Sequence, residues 1–164
     1  MLKNNKIIIR NQEEMENFAK NIAFKISENA IFMLFGTLGV GKTFFAKSLI
    51  RALLNEELEV PSPTFNLIYQ YSNPKERIKN IFHFDLYRLY QSKTANLNIY
   101  QELENIGLFS ALKQGLSIIE WPEIAESTVQ ESCYKLYFSF NNEDLDDENT
   151  RKITCNDEFV KKFL

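Results

Sequence analysis

Residues 36–43 read GTLGVGKT, and this octapeptide limits the possible folds of the chain more than any other segment. It matches the pattern G-x-x-x-x-G-K-[ST], with the apolar run 30–35 before it and the largely apolar segment 44–54 after it. Three of the five glycines of the chain lie within it. A chance match is on the order of one in a few hundred for a chain of this length. The segment therefore predicts a strand, a glycine-rich turn and a helix, in that order.

Each residue type in this octapeptide suits the binding of phosphate groups. Glycines allow backbone N–H groups to turn inward around a phosphate, and the N-terminus of the following helix adds partial positive charge. Lys42 can reach the β- and γ-phosphates of a nucleotide, and the hydroxyl of Thr43 can ligate Mg²⁺. The octapeptide predicts a nucleoside-triphosphate site. Its nucleotide-binding residues are Gly36, Thr37, Leu38, Gly39, Val40, Gly41, Lys42 and Thr43.

A second apolar run, LSIIE at 116–120, reads as a buried strand that ends in a carboxylate. A buried carboxylate must be hydrated, paired or bound to a metal. Beside a phosphate loop of this kind, an acidic residue at a strand end completes the Mg²⁺ environment, so we predict that Glu120 faces the cation. The alternative is an exposed glutamate that begins the next turn. Because successive strand residues point to opposite faces, we expect Glu120 and Trp121 to point in different directions, with Pro122 restricting the backbone of Trp121.

Asp85 is the other candidate carboxylate. In the segment IFHFD at 81–85, period-2 alternation places Phe82 and Phe84 on one face and His83 and Asp85 on the other. Asp85 could hold a Mg²⁺-bound water or orient an attacking water, and the alternative is a salt bridge to Arg88. His83 is expected to be packed and hydrogen-bonded rather than a ligand.

The hydrophobic pattern alternates between strands and helices along the chain. It predicts strands at 6–10, 30–35, 66–72, 77–85, 116–120, 134–140 and 151–155, and helices at 12–28, 44–54, 98–106 and 108–114. We therefore expect one α/β domain over residues 1–164, a three-layer fold of the P-loop NTPase type. Its mixed, mostly parallel sheet should carry helices on both faces and antiparallel strands at the edge.

Three further segments read as loops. PSPTF at 61–65 contains two prolines, which argue against a helix or a central strand. A turn is expected at Asn73–Pro74, between two paired strands. The acidic run 141–149 lacks the mid-loop glycine and the spaced terminal glutamate of a calcium loop, so it is interpreted as a solvated hairpin loop.

Composition excludes several classes of protein. The formal net charge of −3 argues against a broad grip on the phosphate backbone of DNA or RNA. The start of the chain shows no signal peptide, and no apolar run approaches the roughly 20 residues of a membrane helix. Cys133 and Cys155 fit neither a disulfide framework nor a metal-binding pattern, and are interpreted as reduced thiols in late strands. These features predict a cytoplasmic protein.

The chain resembles the TsaE (YjeE) family of small bacterial P-loop ATPases. The matching segments are FGTLGVGKTFF, PSPTFNLIYQY, FHFDLYRL, LENIGLFSAL and LSIIEWPE, and they cover roughly residues 6–125. The resemblance implies a role in adding the threonylcarbamoyl group to the adenosine next to the anticodon of tRNAs that read ANN codons. It also implies ATP and Mg²⁺ at the site, TsaB and TsaD as partner proteins, and contact with tRNA only through that complex.

The resemblance also assigns roles to individual residues. It implies that Thr43 and Glu120 lie at Mg²⁺, and that Thr64 in SPTF belongs to a switch-like loop whose hydroxyl senses the γ-phosphate. Asp85 in DLYR is the second acidic position, and Trp121 flanks the nucleotide. A basic residue of a late strand is expected near the nucleotide as well, and Arg151 is the candidate here.

Two other functions are compatible with a phosphate loop. A small-molecule kinase would need an acceptor pocket and usually an arginine-rich lid, whereas only Arg77 and Arg88 lie in the middle of the chain. A GTPase would carry the guanine-reading string N-K-x-D, which is absent. The sequence therefore favours an ATPase whose hydrolysis drives a protein complex, and a kinase is the alternative. The resemblance implies low activity of the isolated chain.

Overall fold

The computed structural model describes residues 5–54, 59–72, 77–92, 98–129, 131–141 and 150–164. The strands are β1 (Lys6–Ile9), β2 (Ile31–Phe35), β3 (Ile68–Ser72), β4 (Asn80–Asp85), β5 (Leu116–Glu120), β6 (Tyr134–Phe140) and β7 (Arg151–Cys155). The helices are α1 (Gln12–Lys25), α2 (Lys42–Leu54), α3 (Tyr87–Gln91), α4 (Ile99–Asn105), α5 (Leu108–Gln114) and α6 (Asp157–Phe163), with a short 3-10 helix at Pro122–Ile124.

The strands form one mixed sheet in the order β1-β7-β6-β2-β5-β4-β3. The central strands β6, β2, β5 and β4 are parallel, and the antiparallel pairs lie toward the two edges. In this register Leu34 pairs with Glu120, which pairs with Asp85. The carboxyl ends of the three parallel strands β2, β5 and β4 therefore lie side by side. The phosphate loop and both acidic residues lie at these strand ends.

Helices cover both faces of the sheet because β2 is apolar on both sides. Phe32 and Leu34 pack with residues of α1, α2 and α6, whereas Ile31, Met33 and Phe35 pack with residues of α4 and α5. The alternation of side chains along the strand divides them between these two clusters. The three-layer α/β fold of the P-loop NTPase type is thus confirmed.

Helix α1 ends earlier than its periodic pattern predicts. Its last residue is Lys25, and Ile26 already has extended backbone at φ −72° and ψ 147°. The guanidinium of Arg77 donates to the carbonyl oxygens of Ala23 and Ile26, so it satisfies acceptors that the end of the helix leaves without partners. At its start the side chain of Asn11 caps the helix, since it accepts from the backbone N–H of Glu14.

Two short helices, α3 and α6, lie in segments for which the sequence pattern predicted no element. The turn at Asn73–Pro74 lies outside the described residues, as does most of the acidic run, 142–149. Cys133 precedes β6 rather than lying in it, and Cys155 is in β7; both thiols are free and buried. No helix in the described ranges is long and apolar enough to cross a membrane.

Candidate functional site

The phosphate-binding loop, residues 36–41, connects the end of β2 to the start of α2. Gly36, Gly39 and Gly41 have φ angles of 135°, 76° and 106°, a region that favours glycine. The loop also passes close to β6 at Gly36, where a Cβ would lie 2.5 Å from the carbonyl oxygen of Phe138. The first backbone N–H groups of α2 have no intrahelical partners, so the loop forms a concave site suited to an anion.

Lys42 is buried at the start of α2, with its ammonium group directed back at the loop. Nζ donates to the carbonyl oxygens of Gly36 and Thr37 at 2.6 and 2.8 Å. It also lies 4.2 Å from the centre of the Trp121 ring, a cation–π distance. These contacts hold a positive charge at the mouth of the loop, where phosphate oxygens would bind.

Carboxylates surround this ammonium group. Burial lowers the pKa of Lys42 from its ordinary value, and the negative charges of Glu120, Glu123 and Asp85 oppose that shift. The site therefore pairs one buried cation with several acidic groups. This arrangement leaves excess negative charge to be balanced by a further cation.

Glu120 ends β5 and is 1% exposed, so the alternative of an exposed glutamate is wrong. Its Oε2 accepts a hydrogen bond from the hydroxyl of Thr43 at 2.6 Å. Its Oε1 lies 2.8 Å from Nε2 of His83. The sequence prediction that His83 is packed and hydrogen-bonded is confirmed, and its partner is the proposed metal-binding carboxylate itself.

Asp85 ends β4 and is also buried. Its Oδ2 accepts from the hydroxyl of Thr64 at 2.6 Å, and its Oδ1 accepts from the backbone N–H of Tyr87 at 2.9 Å. Arg88 instead donates to the carbonyl oxygen of Phe65 at 3.2 Å. The alternative of an Asp85–Arg88 salt bridge is therefore wrong, and Asp85 ties the 61–65 loop to the end of β4.

Trp121 does not follow the alternation that the sequence predicted. Its backbone is left-handed, with φ 55° and ψ 51°, because the strand stops at Glu120 and the 3-10 helix begins at Pro122. The indole packs against Tyr87 and Tyr90 at ring distances of 4.7 and 5.5 Å. Both residues line the cavity at the loop, but the carboxylate of Glu120 contacts Thr43 and His83 whereas the indole contacts the two tyrosines, so the expectation of different directions stays a prediction.

Arg151 lies at the same edge of the sheet as the phosphate loop, but two strands away from β2. Its guanidinium stacks 4.6 Å from the centre of the Phe140 ring and donates to the carbonyl oxygen of Thr150 at 3.3 Å. It is not among the residues that line the cavity at the loop. A role for Arg151 at the nucleotide stays a prediction.

Apart from Gly36 and Thr37, whose carbonyl oxygens accept from Lys42, the remaining predicted residues line one cavity of about 260 Å³. It is lined by Leu38, Gly39, Val40, Gly41, Lys42, Thr43, Phe44, Thr64, Asp85, Tyr87, Glu120 and Trp121. Sequence reasoning assigned no role here to Tyr87 or to His83. The position of Asp85 explains where both residues lie. His83 is on the same face of β4 as Asp85, and Tyr87, the first residue of α3, donates its backbone N–H to Asp85.

The side chains at this cavity suit Mg²⁺. Hydroxyl and carboxylate oxygens of Thr43, Glu120 and Asp85 are the donors that this ion prefers, and Mg²⁺ usually takes one or two carboxylates together with substrate phosphates. Among the residues that the structure describes, no cluster of three or more His, Cys, Asp or Glu could hold a metal without such help. Because Glu120 and Asp85 are buried beside a single lysine, the site fits a cation that arrives with a nucleotide.

Comparison with known proteins gives one consistent family. The family model described as "Threonylcarbamoyl adenosine biosynthesis protein TsaE" matches residues 9–153. A protein of Rickettsia bellii described as tRNA threonylcarbamoyladenosine biosynthesis protein TsaE is 40% identical over 121 residues, which are 74% of this chain and 76% of that protein. A protein of Aquifex aeolicus with the same description is 32% identical over 118 residues, which are 71% of this chain and 76% of its own.

A solved structure agrees at the level of the fold. The crystal structure of Bacillus subtilis YdiB superposes with a TM-score of 0.64 at 23% sequence identity. The match covers 92% of this chain and 82% of YdiB. It supports the sheet order and helix layers described above.

Proposed function

Because the chain belongs to the TsaE family and so to tRNA threonylcarbamoyladenosine biosynthesis, we propose that it is the ATP-binding and ATP-hydrolysing component of that machinery. It acts as a single domain over residues 1–164. Hydrolysis drives the cycle of a TsaB–TsaD complex, in which TsaD adds the threonylcarbamoyl group to the adenosine next to the anticodon of tRNAs that read ANN codons.

One observation carries the proposal. A glycine loop at a helix N-terminus adjoins the half-buried hydroxyl of Thr43 and the buried carboxylate of Glu120, whose oxygens are 2.6 Å apart. A second buried carboxylate, Asp85, ends the neighbouring strand. A phosphate cradle beside oxygen donors for Mg²⁺ is the arrangement required to bind and cleave a nucleoside triphosphate.

Each residue then has a proposed role. The backbone of residues 36–43 binds the phosphates, and Lys42 turns from the loop carbonyls to the β- and γ-phosphates. Thr43 and Glu120 hold Mg²⁺, which when bound neutralises charge that develops on the phosphate oxygens. Asp85 orients the attacking water, and Thr64 reports whether a γ-phosphate is present.

The charge of the chain and its family membership both support the proposed partners. The net charge of −3 supports contact with tRNA through the TsaB–TsaD complex rather than by the isolated chain. We propose a cytoplasmic location, with no role for DNA or a membrane. The isolated chain should bind tRNA with a Kd above about a micromolar at physiological salt, in a filter-binding or anisotropy assay.

ATP turnover measured alone, with TsaB–TsaD, and with TsaB–TsaD plus substrate tRNA tests the proposal. Turnover should be low for the chain alone and should rise with the complete set of partners. Lys42→Ala should abolish it. Transfer of phosphate to a small acceptor without any partner would instead establish a kinase.

A further inference from the structure

His83 is a fully buried polar residue next to the proposed metal site. It lies on β4, two residues before Asp85, and is 0% exposed. Nε2 contacts Oε1 of Glu120 at 2.8 Å, and Glu120 is itself 1% exposed. Within the described part of the chain, Nδ1 has no hydrogen-bond partner. Glu120 is therefore the one polar partner of the imidazole among the described residues, and the contact between them is buried.

The direction of this hydrogen bond follows from the chemistry of the two groups. A carboxylate that holds a cation is ionised and only accepts, so the proposed metal role of Glu120 places the hydrogen on Nε2 of His83. Oε2 of the same carboxylate accepts from the Thr43 hydroxyl at 2.6 Å. The two oxygens of Glu120 therefore have different partners, one on β4 and one on α2.

A glutamate at this position needs such a partner more than an aspartate would. Its side chain has one more rotatable bond, and rotation about the last bond is broad, so the carboxylate has several accessible orientations. A buried donor on the adjacent strand restricts it to one. His83 and Glu120 are placed for this contact by the parallel pairing of β4 and β5.

We propose that His83 is a positioning residue for the metal-dependent step. Its Nε2–H fixes Oε1 of Glu120, so that Oε2 stays with Thr43 at the phosphate loop, where Mg²⁺ and the nucleotide meet. The inference rests on the proposed function, because it assumes that the cavity binds a Mg²⁺–nucleotide complex. Residues that orient metal ligands in this way typically contribute about tenfold to a hundredfold in metal affinity or activity.

A purely structural role for His83 makes a different prediction. If the ring only fills the core, removing its nitrogen atoms should weaken nucleotide binding equally with and without Mg²⁺. If it positions Glu120, the loss should be confined to the Mg²⁺-dependent part, because the phosphate loop and Lys42 do not contact His83.

The test compares His83→Leu with His83→Gln. Leucine removes the donor, whereas the amide nitrogen of glutamine lies about as far from the backbone as Nε2 of histidine. Ser117→Ala is the matched control, since Ser117 is a fully buried β5 residue whose hydroxyl has no partner in the described structure. Binding of a fluorescent non-hydrolysable ATP analogue to the full chain is titrated with and without Mg²⁺, and thermal unfolding is recorded for each variant.

For His83→Leu we expect Mg²⁺-dependent affinity to fall about tenfold or more, with metal-free affinity within about twofold of the parent. His83→Gln should recover most of the loss, and Ser117→Ala should match the parent protein. Unchanged Mg²⁺ dependence in His83→Leu, or a glutamine variant as impaired as the leucine variant, would overturn the inference. If the parent itself showed no Mg²⁺-dependent nucleotide binding, the proposed function would fail first, and this inference with it.

A measurement on the unaltered protein covers the case in which His83→Leu does not fold. His83 is the single histidine of the chain, so ¹⁵N-labelled histidine gives one ring spectrum without overlap. We expect the hydrogen on Nε2, and a response of the Nε2 signal when Mg²⁺ is added to the nucleotide-bound protein. A hydrogen on Nδ1 alone would show that the ring does not donate to Glu120.

Discussion

Two threonine–carboxylate pairs lie side by side at the carboxyl ends of neighbouring strands, and they differ in what holds the threonine. Thr43 donates to Glu120 at 2.6 Å, and Thr64 donates to Asp85 at the same distance. Thr43 lies in the first turn of α2, a helix of 13 residues packed on the sheet. Thr64 lies in a loop, between the buried Pro63 and Phe65, which is 84% exposed.

This difference separates a fixed part of the site from an adjustable one. Displacing Thr43 would require α2 to move, and α2 is anchored by several buried side chains. Displacing Thr64 requires only the local loop to rearrange, because its anchors are the single buried residue Pro63 and a few hydrogen bonds such as Leu67 N–H to the Pro63 carbonyl at 2.7 Å. We infer that the Glu120 pair organises the metal and that the Asp85 pair responds to the nucleotide.

Replacing the two carboxylates gives the largest expected contrast. Glu120→Gln should keep metal-free ATP binding but lower complex-stimulated turnover by about a hundredfold or more, because the charge that organises the metal is lost. Asp85→Asn should also lower turnover, but with Mg²⁺-dependent binding retained. Calorimetry with and without Mg²⁺, together with phosphate release, measures both effects.

Identical profiles for Glu120→Gln and Asp85→Asn would remove the distinction between the two pairs. A Glu120→Gln protein with normal turnover would exclude Glu120 from the metal site altogether.

The two threonines give the next contrast, in binding rather than turnover. Thr43→Ala should weaken Mg²⁺–ATP about tenfold more than metal-free ATP, because we propose that the hydroxyl is a metal ligand. Thr64→Ala should reduce the preference for ATP over ADP and leave the Mg²⁺ dependence of ADP binding unchanged. Equal losses with and without Mg²⁺ in Thr43→Ala would place that hydroxyl outside the metal shell.

The fixed part of the site is also the part that sequence reasoning predicts well. The octapeptide at 36–43 defines a strand, a loop and a helix through local conformational requirements, such as positive φ at Gly36. The position of Glu120 at a strand end follows from the apolar run that it closes, and its proposed role follows from the presence of the octapeptide. Each of these predictions uses a local pattern, so one sequence is sufficient for them.

Features that depend on distant contacts were not predictable in this way. Residues before proline usually have extended backbone, whereas Trp121 is left-handed. Its ring contacts Tyr87, Tyr90 and Lys42, which are distant in the sequence. The end of α1 depends on Arg77, more than 50 residues away. Such contacts exist only once the sheet has brought the segments together.

Helix α6 was missed although its sequence carries a signal. Asn156 caps it, acidic residues occupy its first turn and lysines its last, as the helix dipole favours. With seven residues it is too short to be stable alone, and its burial of Phe159 and Phe163 against the sheet supplies the missing stability.

A substitution at Trp121 tests whether its ring contact with Lys42 contributes to the fixed part of the site, the part around Thr43 and Glu120. Trp121→Ala should leave the fold and ATP binding largely intact but lower turnover in the complex about twofold to thirtyfold, since a cation–π contact contributes about 0.5–2 kcal/mol. In the parent protein, emission of this single tryptophan should respond to ATP more than to ADP, because Lys42 lies 4.2 Å from the ring. An indifferent emission spectrum and a fully active variant would reduce Trp121 to ordinary packing.

The smallest expected effect concerns Ser62, whose hydroxyl contacts Thr64 of the Thr64–Asp85 pair. Ser62 and Thr64 hydroxyls are 2.9 Å apart, and because Thr64 gives its one hydrogen to Asp85, Ser62 must be the donor. In the other pair, the additional contact comes from the buried His83, which lies against Glu120. Ser62 is instead exposed, so water can replace its hydroxyl. Ser62→Ala should therefore change ATP affinity by less than about threefold and the free energy of unfolding by less than about 0.5 kcal/mol.

Calorimetry and urea unfolding of Ser62→Ala, run beside Thr64→Ala, measure both quantities. A tenfold loss of ATP affinity in Ser62→Ala would mean that the 61–65 loop is held as firmly as α2, because an exposed hydroxyl would then be fixing Thr64 as His83 is proposed to fix Glu120. The contrast between a fixed and an adjustable half of the site would no longer hold, and nucleotide sensing would have to be sought in another element, with α3 and its contacts to Trp121 the first to examine.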